Sequence, residues 1–179
     1  NLTNHVYLNL AGIDEKDVLN HVVMMNAEAF TPIDAESIPT GGLCDVTGTP
    51  FDMRGGLRIG DGLAYQDENE QLTNGNGYDH NFVLYGTGMR KGGEVTEPKT
   101  GRRVEFFTDM PGVQLYTGNF LPKDESSIGK RGVALTFRKG FCLETQYYPD
   151  SINQPDFPQP VLRKGEKYLH ETAYRFSAR

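Results

Sequence analysis

The chain contains no tryptophan, two cysteines, four histidines and no apolar stretch approaching the length of a membrane span. Each scarcity excludes a class. Cys44 and Cys142 are too few for a disulfide scaffold; they point to a reducing, cytoplasmic setting in which Cys142 is a buried strand thiol. No Cys or His pair stands at zinc-ligand spacing, so His21 and His170 read as strand or turn surface residues and no metal is expected. Acidic residues number 24 against 18 basic ones, a net charge of −6, with no basic stripe to neutralise phosphates. Nucleic-acid binding is therefore not expected, and neither is a membrane partner. The Arg102-Arg103 and Lys130-Arg131 pairs read as solvated turn charges. Nor does Asn74-Gly75-Asn76-Gly77 lead into the Lys-Ser or Lys-Thr of a nucleotide-cradling loop, so no nucleotide cofactor is implied.

What is present is turn chemistry. The 21 glycines and 10 prolines are spread between short apolar runs. The clearest breaks are Thr40-Gly41-Gly42, Arg54-Gly55-Gly56, the Asn74 to Gly77 stretch and Lys91-Gly92-Gly93, each able to take positive φ at little cost. Between the breaks, strands are expected at 83–85, 103–108, 113–117, 132–137, 141–147 and 171–176, a spacing that suggests antiparallel sheets. The stretch 14–25 is ambiguous: Val18, Leu19, Val22 and Val23 approximate helical spacing, but 22–25 is a short apolar run that periodicity cannot assign. No low-complexity segment, repeat or linker divides the chain, so residues 1–179 read as one domain or part of one.

Two runs carry candidate chemistry. In 141–147, alternation sets Phe141, Leu143 and Thr145 on one face and Cys142, Glu144 and Gln146 on the other. In NHVYLNLAG, Val6, Leu8 and Leu10 oppose His5, Tyr7 and Asn9. For either run alone a solvated outer face is the ordinary reading. Together they offer a carboxylate and an imidazole, the usual components of a general acid and base pair.

The wording of these runs resembles the aldose 1-epimerase, or galactose mutarotase, family. The resemblance is carried by NLTNHVYLNLAG, FTPIDAESIPTGGLCDVTGTPFDMR, NGNGYDHNFVL, PGVQLYTGNFL, GFCLETQYYPDSINQPDFPQPVLRKGEKY and a closing YRF, in family order along the whole chain. It implies an all-β fold, a large antiparallel β-sandwich with a sugar site in a shallow cleft. It also implies that NHVYLNLAG lies about halfway along a family member, so that this chain supplies the C-terminal half of a single domain. The other half, whether a separate chain or further sequence, is then an expected partner, because half a sandwich exposes strand edges and a cut core face. For 14–25 it favours a turn followed by a strand, and it makes 149–160 an ordered loop.

The implied activity interconverts the α and β anomers of free hexoses such as galactose and glucose, without metal or cofactor. By family matching, Glu144 takes the C1 hydroxyl proton and His5 protonates the ring oxygen. Asp79, in Gly-Tyr-Asp-His-Asn, matches an acceptor of sugar hydroxyl bonds, although an Asx turn is the ordinary reading of a lone Asp there. Gln114, in Pro-Gly-Val-Gln-Leu-Tyr, matches another sugar contact, and His80 has at most a supporting role. Two alternatives remain open: a carbohydrate-binding relative without catalysis, and an epimerase of hexose phosphates, for which Arg54 and Arg58 are the candidate phosphate ligands.

Overall fold

The structure, a computed structural model, describes residues 1–178. In chain order its strands are β1 (Val22–Met25), β2 (Ala27–Phe30), β3 (Cys44–Asp45), β4 (Leu57–Arg58), β5 (Asp79–Leu84), β6 (Arg90–Thr96), β7 (Arg102–Thr108), β8 (Gly112–Tyr116), β9 (Cys142–Gln146) and β10 (Thr172–Ala178). They form two five-stranded antiparallel sheets, β10-β7-β6-β1-β4 and β3-β2-β5-β8-β9. The apolar faces of both sheets enter one core: Val23, Met25, Val95, Val104 and Phe106 from the first, Phe30, Phe82, Val113, Leu115 and Leu143 from the second. Two five-residue helices, α1 (Ile59–Leu63) and α2 (Glu70–Asn74), had no counterpart in the sequence reading. The Asn69 side chain starts α2 by accepting from the Gln71 and Leu72 amides, which have no intrahelical partner.

Aromatic packing fixes the entry to β5. Phe51 stacks on Phe30 at 4.1 Å, while Tyr78 and His80 meet the Phe51 ring edge-on at 5.5 and 4.7 Å. The buried Tyr78 hydroxyl donates to the Pro50 carbonyl at 2.6 Å, so its polar tip is satisfied. The outward face of the first sheet solves a different problem. Glu94 and Glu105 stand directly opposite each other, a repulsive pair. Lys91 and Arg103 each bridge both carboxylates and Arg175 adds a bond to Glu105, holding that carboxyl well below the usual range.

Several expectations need correction. NHVYLNLAG forms no strand; its one ladder contact is a bridge between Leu8 and Phe141. Residues 132–137 are not a strand either: they follow a 3₁₀ turn at Lys130–Gly132, and Arg131 and Gly132 take positive φ, which breaks extended pairing. His21 is buried rather than superficial, with Nδ1 against the Val18 carbonyl and Nε2 accepting from the Leu10 amide. Arg102 and Arg103 lie on β7 rather than a turn, and Arg102 donates to the Leu10 carbonyl. His80 points into the core, where burial pushes its imidazole down to about 3, so it cannot support a site on the opposite face. In 14–25 the strand occupies Val22–Met25, after turns.

At one end the core face is open. Val6 and Phe176 are exposed and, with Asn4, Leu8, Leu143 and Tyr174, line an apolar groove of about 240 Å³.

The approach of α1 to Tyr78 is testable. A methyl on Gly62 would lie 1.8 Å from the Tyr78 hydroxyl oxygen. Gly62→Ala, which favours an ordinary helix, is expected here to lower the unfolding free energy by about 1–3 kcal/mol in urea titrations. Adding Tyr78→Phe is expected to restore part of the loss.

Candidate active site

Strands β5, β8 and β9 run side by side, and their register arranges side chains in rows. Asn81 pairs with Gln114 and Gln114 with Glu144; two residues along, Asp79 pairs with Tyr116 and Tyr116 with Cys142. Residues opposite each other in an antiparallel sheet share a face. Asp79, Asn81, Gln114, Tyr116, Cys142, Glu144 and Gln146 therefore stand together on the face away from the core. It is not the solvated outer face of the ordinary reading, because every residue of β9 is buried.

The cover is the segment 1–9, laid antiparallel along β9. Asn1 Nδ2 donates to the Tyr147 carbonyl, Thr3 Oγ1 to Thr145 and Asn4 Nδ2 to Leu143, while the Leu8 amide donates to Phe141 and Asn9 Nδ2 to Lys139. Side chains thus satisfy an edge strand that a regular ladder would otherwise pair. The arrangement lowers His5 onto the row: its Nε2 lies 3.5 Å from Glu144 Oε1 and its Nδ1 3.4 Å from Cys142 Sγ.

All four residues expected from the sequence line one pocket of about 250 Å³: His5, Asp79, Gln114 and Glu144, joined by Tyr7, Tyr116 and Phe120. An amide chain organises its floor. Gln146 Nε2 donates to Gln114 Oε1 at 3.1 Å, and Gln114 Nε2 donates to Asp79 Oδ1 at 2.8 Å. Because a carboxylate only accepts, Asp79 dictates which end of Gln114 faces it, and Gln114 in turn takes the amine end of Gln146. Gln146 also reaches Asn81 Oδ1 at 3.3 Å, and the buried Asn81 Nδ2 has no hydrogen-bond partner among the described residues.

Asn81, Tyr116 and Phe120 went unnoticed in the sequence. Period-two reading from Gln114 reaches Tyr116 and from Asp79 reaches Asn81, so both were within reach. Phe120 lies beyond β8 and is returned by its own amide, which donates to the Tyr116 hydroxyl at 2.9 Å; no local pattern announces that turn.

Burial dominates the electrostatics. It raises the Glu144 carboxyl above its ordinary range; the His5 charge opposes this and Asp79 adds to it. Asp79 is also raised by burial, opposed by the Gln114 hydrogen bond and by His5. The Cys142 thiol is pushed far up by burial and by the Glu144 and Asp79 charges, so it remains S–H beside His5 Nδ1. The row therefore offers a carboxylate of increased basicity, an imidazole in contact with it, and hydrogen-bonding groups alongside. Such a set can move a proton on and off a small polar ligand. A larger cavity of about 460 Å³ elsewhere includes His21 and Glu97, but internal bonds from Leu10, Lys99 and Thr100 already occupy both.

A two-sheet antiparallel sandwich with an acid and base pocket on one outer face is the class this geometry defines. The sequence model for aldose 1-epimerase matches residues 1–175. The galactose mutarotase of Bos taurus is 44% identical over 178 residues, covering 99% of this chain and 49% of the relative; that of Homo sapiens gives the same figures. The aldose 1-epimerase of Escherichia coli is 37% identical over 183 residues, covering 99% and 51%. Among solved structures, an aldose epimerase homologue from C. elegans superposes with a TM-score of 0.85 at 29% identity, covering 98% of this chain and 50% of that one. The galactose 1-epimerase of Lactobacillus acidophilus gives 0.80 at 28%, covering 98% and 48%. The chain belongs to the aldose 1-epimerase family, and its fold is of the galactose mutarotase type. It spans about half the length of the curated relatives it matches.

The raised carboxyls have a stability consequence. Their folded pKa values exceed the unfolded ones of about 3.9 and 4.3, so the stability they contribute is full below those values and is lost as pH rises through the folded ones. Glu144→Gln is therefore expected to unfold at a higher urea midpoint than the parent near pH 7, with the difference closing below about pH 4. A variant less stable than the parent at neutral pH would contradict the burial penalty.

Proposed function

We propose that this chain carries the proton-transfer pair of an aldose 1-epimerase that interconverts the α and β anomers of free hexoses such as galactose and glucose. The 3.5 Å approach of His5 Nε2 to Glu144 Oε1 is the observation that carries the reading. The C1 hydroxyl and the ring oxygen of a cyclic sugar are bonded to the same carbon, so the acid and base must converge on one small volume. Glu144 removes the hydroxyl proton while protonated His5 donates to the ring oxygen, and the C1 to ring-oxygen bond breaks to give an aldehyde. Rotation about C1–C2 presents the other carbonyl face. His5 then recovers its proton as the ring oxygen attacks, and Glu144 returns its own to the carbonyl oxygen. Both groups end as they began.

A buried, raised carboxyl suits this cycle, because a base works best with a pKa near the working pH. Asp79 and Gln114 hold hydroxyls beside the reacting carbon: Gln114 occupies one Asp79 oxygen and leaves the other to accept. Tyr7, Tyr116 and Phe120 add aromatic side chains to the lining of an otherwise polar pocket. A phosphorylated hexose fits less well. Arg54 is engaged with Asp52 and Arg58 with Asp61, and neither lines this pocket. The open apolar groove beside Val6 and Phe176, with the half-length match to the relatives, supports the reading that the other half of the family domain covers this end and completes the site.

Polarimetry of freshly dissolved α-D-galactose tests the reaction. Glu144→Gln and His5→Asn are each expected to slow the enzyme-dependent loss of rotation by about 10²–10⁴-fold. Undiminished turnover in Glu144→Gln would remove the mechanism. Sugar binding without accelerated exchange in the parent would instead mark a carbohydrate-binding relative.

A further inference from the structure

The reaction above leaves Cys142 unused, yet its buried sulfur lies beneath His5, 3.4 Å from the ring Nδ1. A His5 ring nitrogen, Cys142 Sγ and a Glu144 carboxylate oxygen all lie within 4.8 Å of one another, the one such group of three among the described residues. We propose that His5, Cys142 and Glu144 form a site for a thiophilic divalent cation of the zinc type, and that its occupation silences the acid and base pair.

The spacing is within a side-chain adjustment of tetrahedral coordination. Bonds of about 2.0–2.3 Å to nitrogen, oxygen and sulfur place neighbouring ligand atoms roughly 3.3–3.7 Å apart. His5 lies 3.5 Å from Glu144 and 3.4 Å from Cys142. These contacts use different ring nitrogens, so one nitrogen must turn between oxygen and sulfur. The His5 side chain is 54% exposed and sits on an irregular segment, so such a rotation has only the neighbouring Tyr7 and Tyr116 rings to displace. Because His5 and Glu144 line the pocket, a fourth ligand would be water on that side. The mixed donor set selects a zinc-like ion over magnesium or calcium, which favour oxygen. Binding forms the metal–sulfur bond and releases the thiol proton to solvent. The nearby Asp79 carboxylate adds attraction for a cation.

The consequence for catalysis rests on the mutarotase reading; the metal site does not. With the Glu144 and His5 lone pairs held by the ion, neither group can carry a proton, and a sugar at the pair is displaced.

Cobalt(II), a spectroscopic substitute for zinc, reports the site without any activity measurement. Titration of the purified protein is expected to produce a sulfur-to-cobalt charge-transfer band saturating at one ion per chain. The band should persist in Cys44→Ser, disappear in Cys142→Ser, and require at least about tenfold more cobalt in His5→Ala. As a check independent of Cys142 folding, zinc should raise the melting temperature of the parent more than that of His5→Ala at the same concentration, since an ion bound only to the native state stabilises it in proportion to its affinity. Absence of the band under excess cobalt, a band that follows Cys44, or a zinc shift undiminished in His5→Ala overturns the proposal. A Cys142-dependent band that galactose fails to displace supports the metal site and counts against the sugar reading.

Discussion

The antiparallel register of β5, β8 and β9 is the constraint on which the rest of the site depends, because it decides that Asn81, Gln114 and Glu144 stand in one row and Asp79, Tyr116 and Cys142 in the next. A slip of one residue in β9 would turn Glu144 and Cys142 into the core and Leu143 out toward the pocket. The apolar content of the opposite face forbids that slip. Phe82, Val113, Leu115 and Leu143 are buried at 1% exposure or less, so the energetic weight of the core holds the polar row in place.

That row is stabilised by mutual satisfaction as well as by register. Asp79 orients Gln114, and Gln114 orients Gln146. A floor built this way resists rearrangement, since reversing one amide would leave like ends facing each other. It also concentrates unfavourable terms: two carboxyls raised by burial and an Asn81 amide nitrogen without a partner among the described residues. Such residual cost is typical of a place where a ligand completes the hydrogen bonding.

The segment 1–9 completes the site by unusual means. In place of a backbone ladder, the side chains of Asn1, Thr3, Asn4 and Asn9 satisfy carbonyls along β9 and its flanks. The irregular backbone that results leaves His5 free to lean over Glu144 and Cys142, two residues of β9 on the same face. A regular strand in the same position would extend the sheet and direct His5 perpendicular to it, beside Glu144 rather than over it.

The sequence by itself suggested antiparallel sheets, through short alternating runs and glycine turns, and it set a histidine at 5 and a glutamate at 144 on polar faces; its resemblance to the aldose 1-epimerase family supplied the sandwich and singled out Asp79 and Gln114. Local pattern sufficed for β7, β8, β9 and β10 because their apolar residues recur at the two-residue period of a strand. It failed at NHVYLNLAG and at 132–137, where alternation is present but bonding partners or backbone angles rule out a ladder. It also missed the two short helices, held by a cap and by contacts rather than by an amphipathic stripe. Only the tertiary structure decided that His5 meets both Glu144 and Cys142, that His80 and His21 are core residues, and that Phe120 returns to the pocket. Periodicity describes which face a residue occupies on its own element, whereas those meetings depend on which elements pack together.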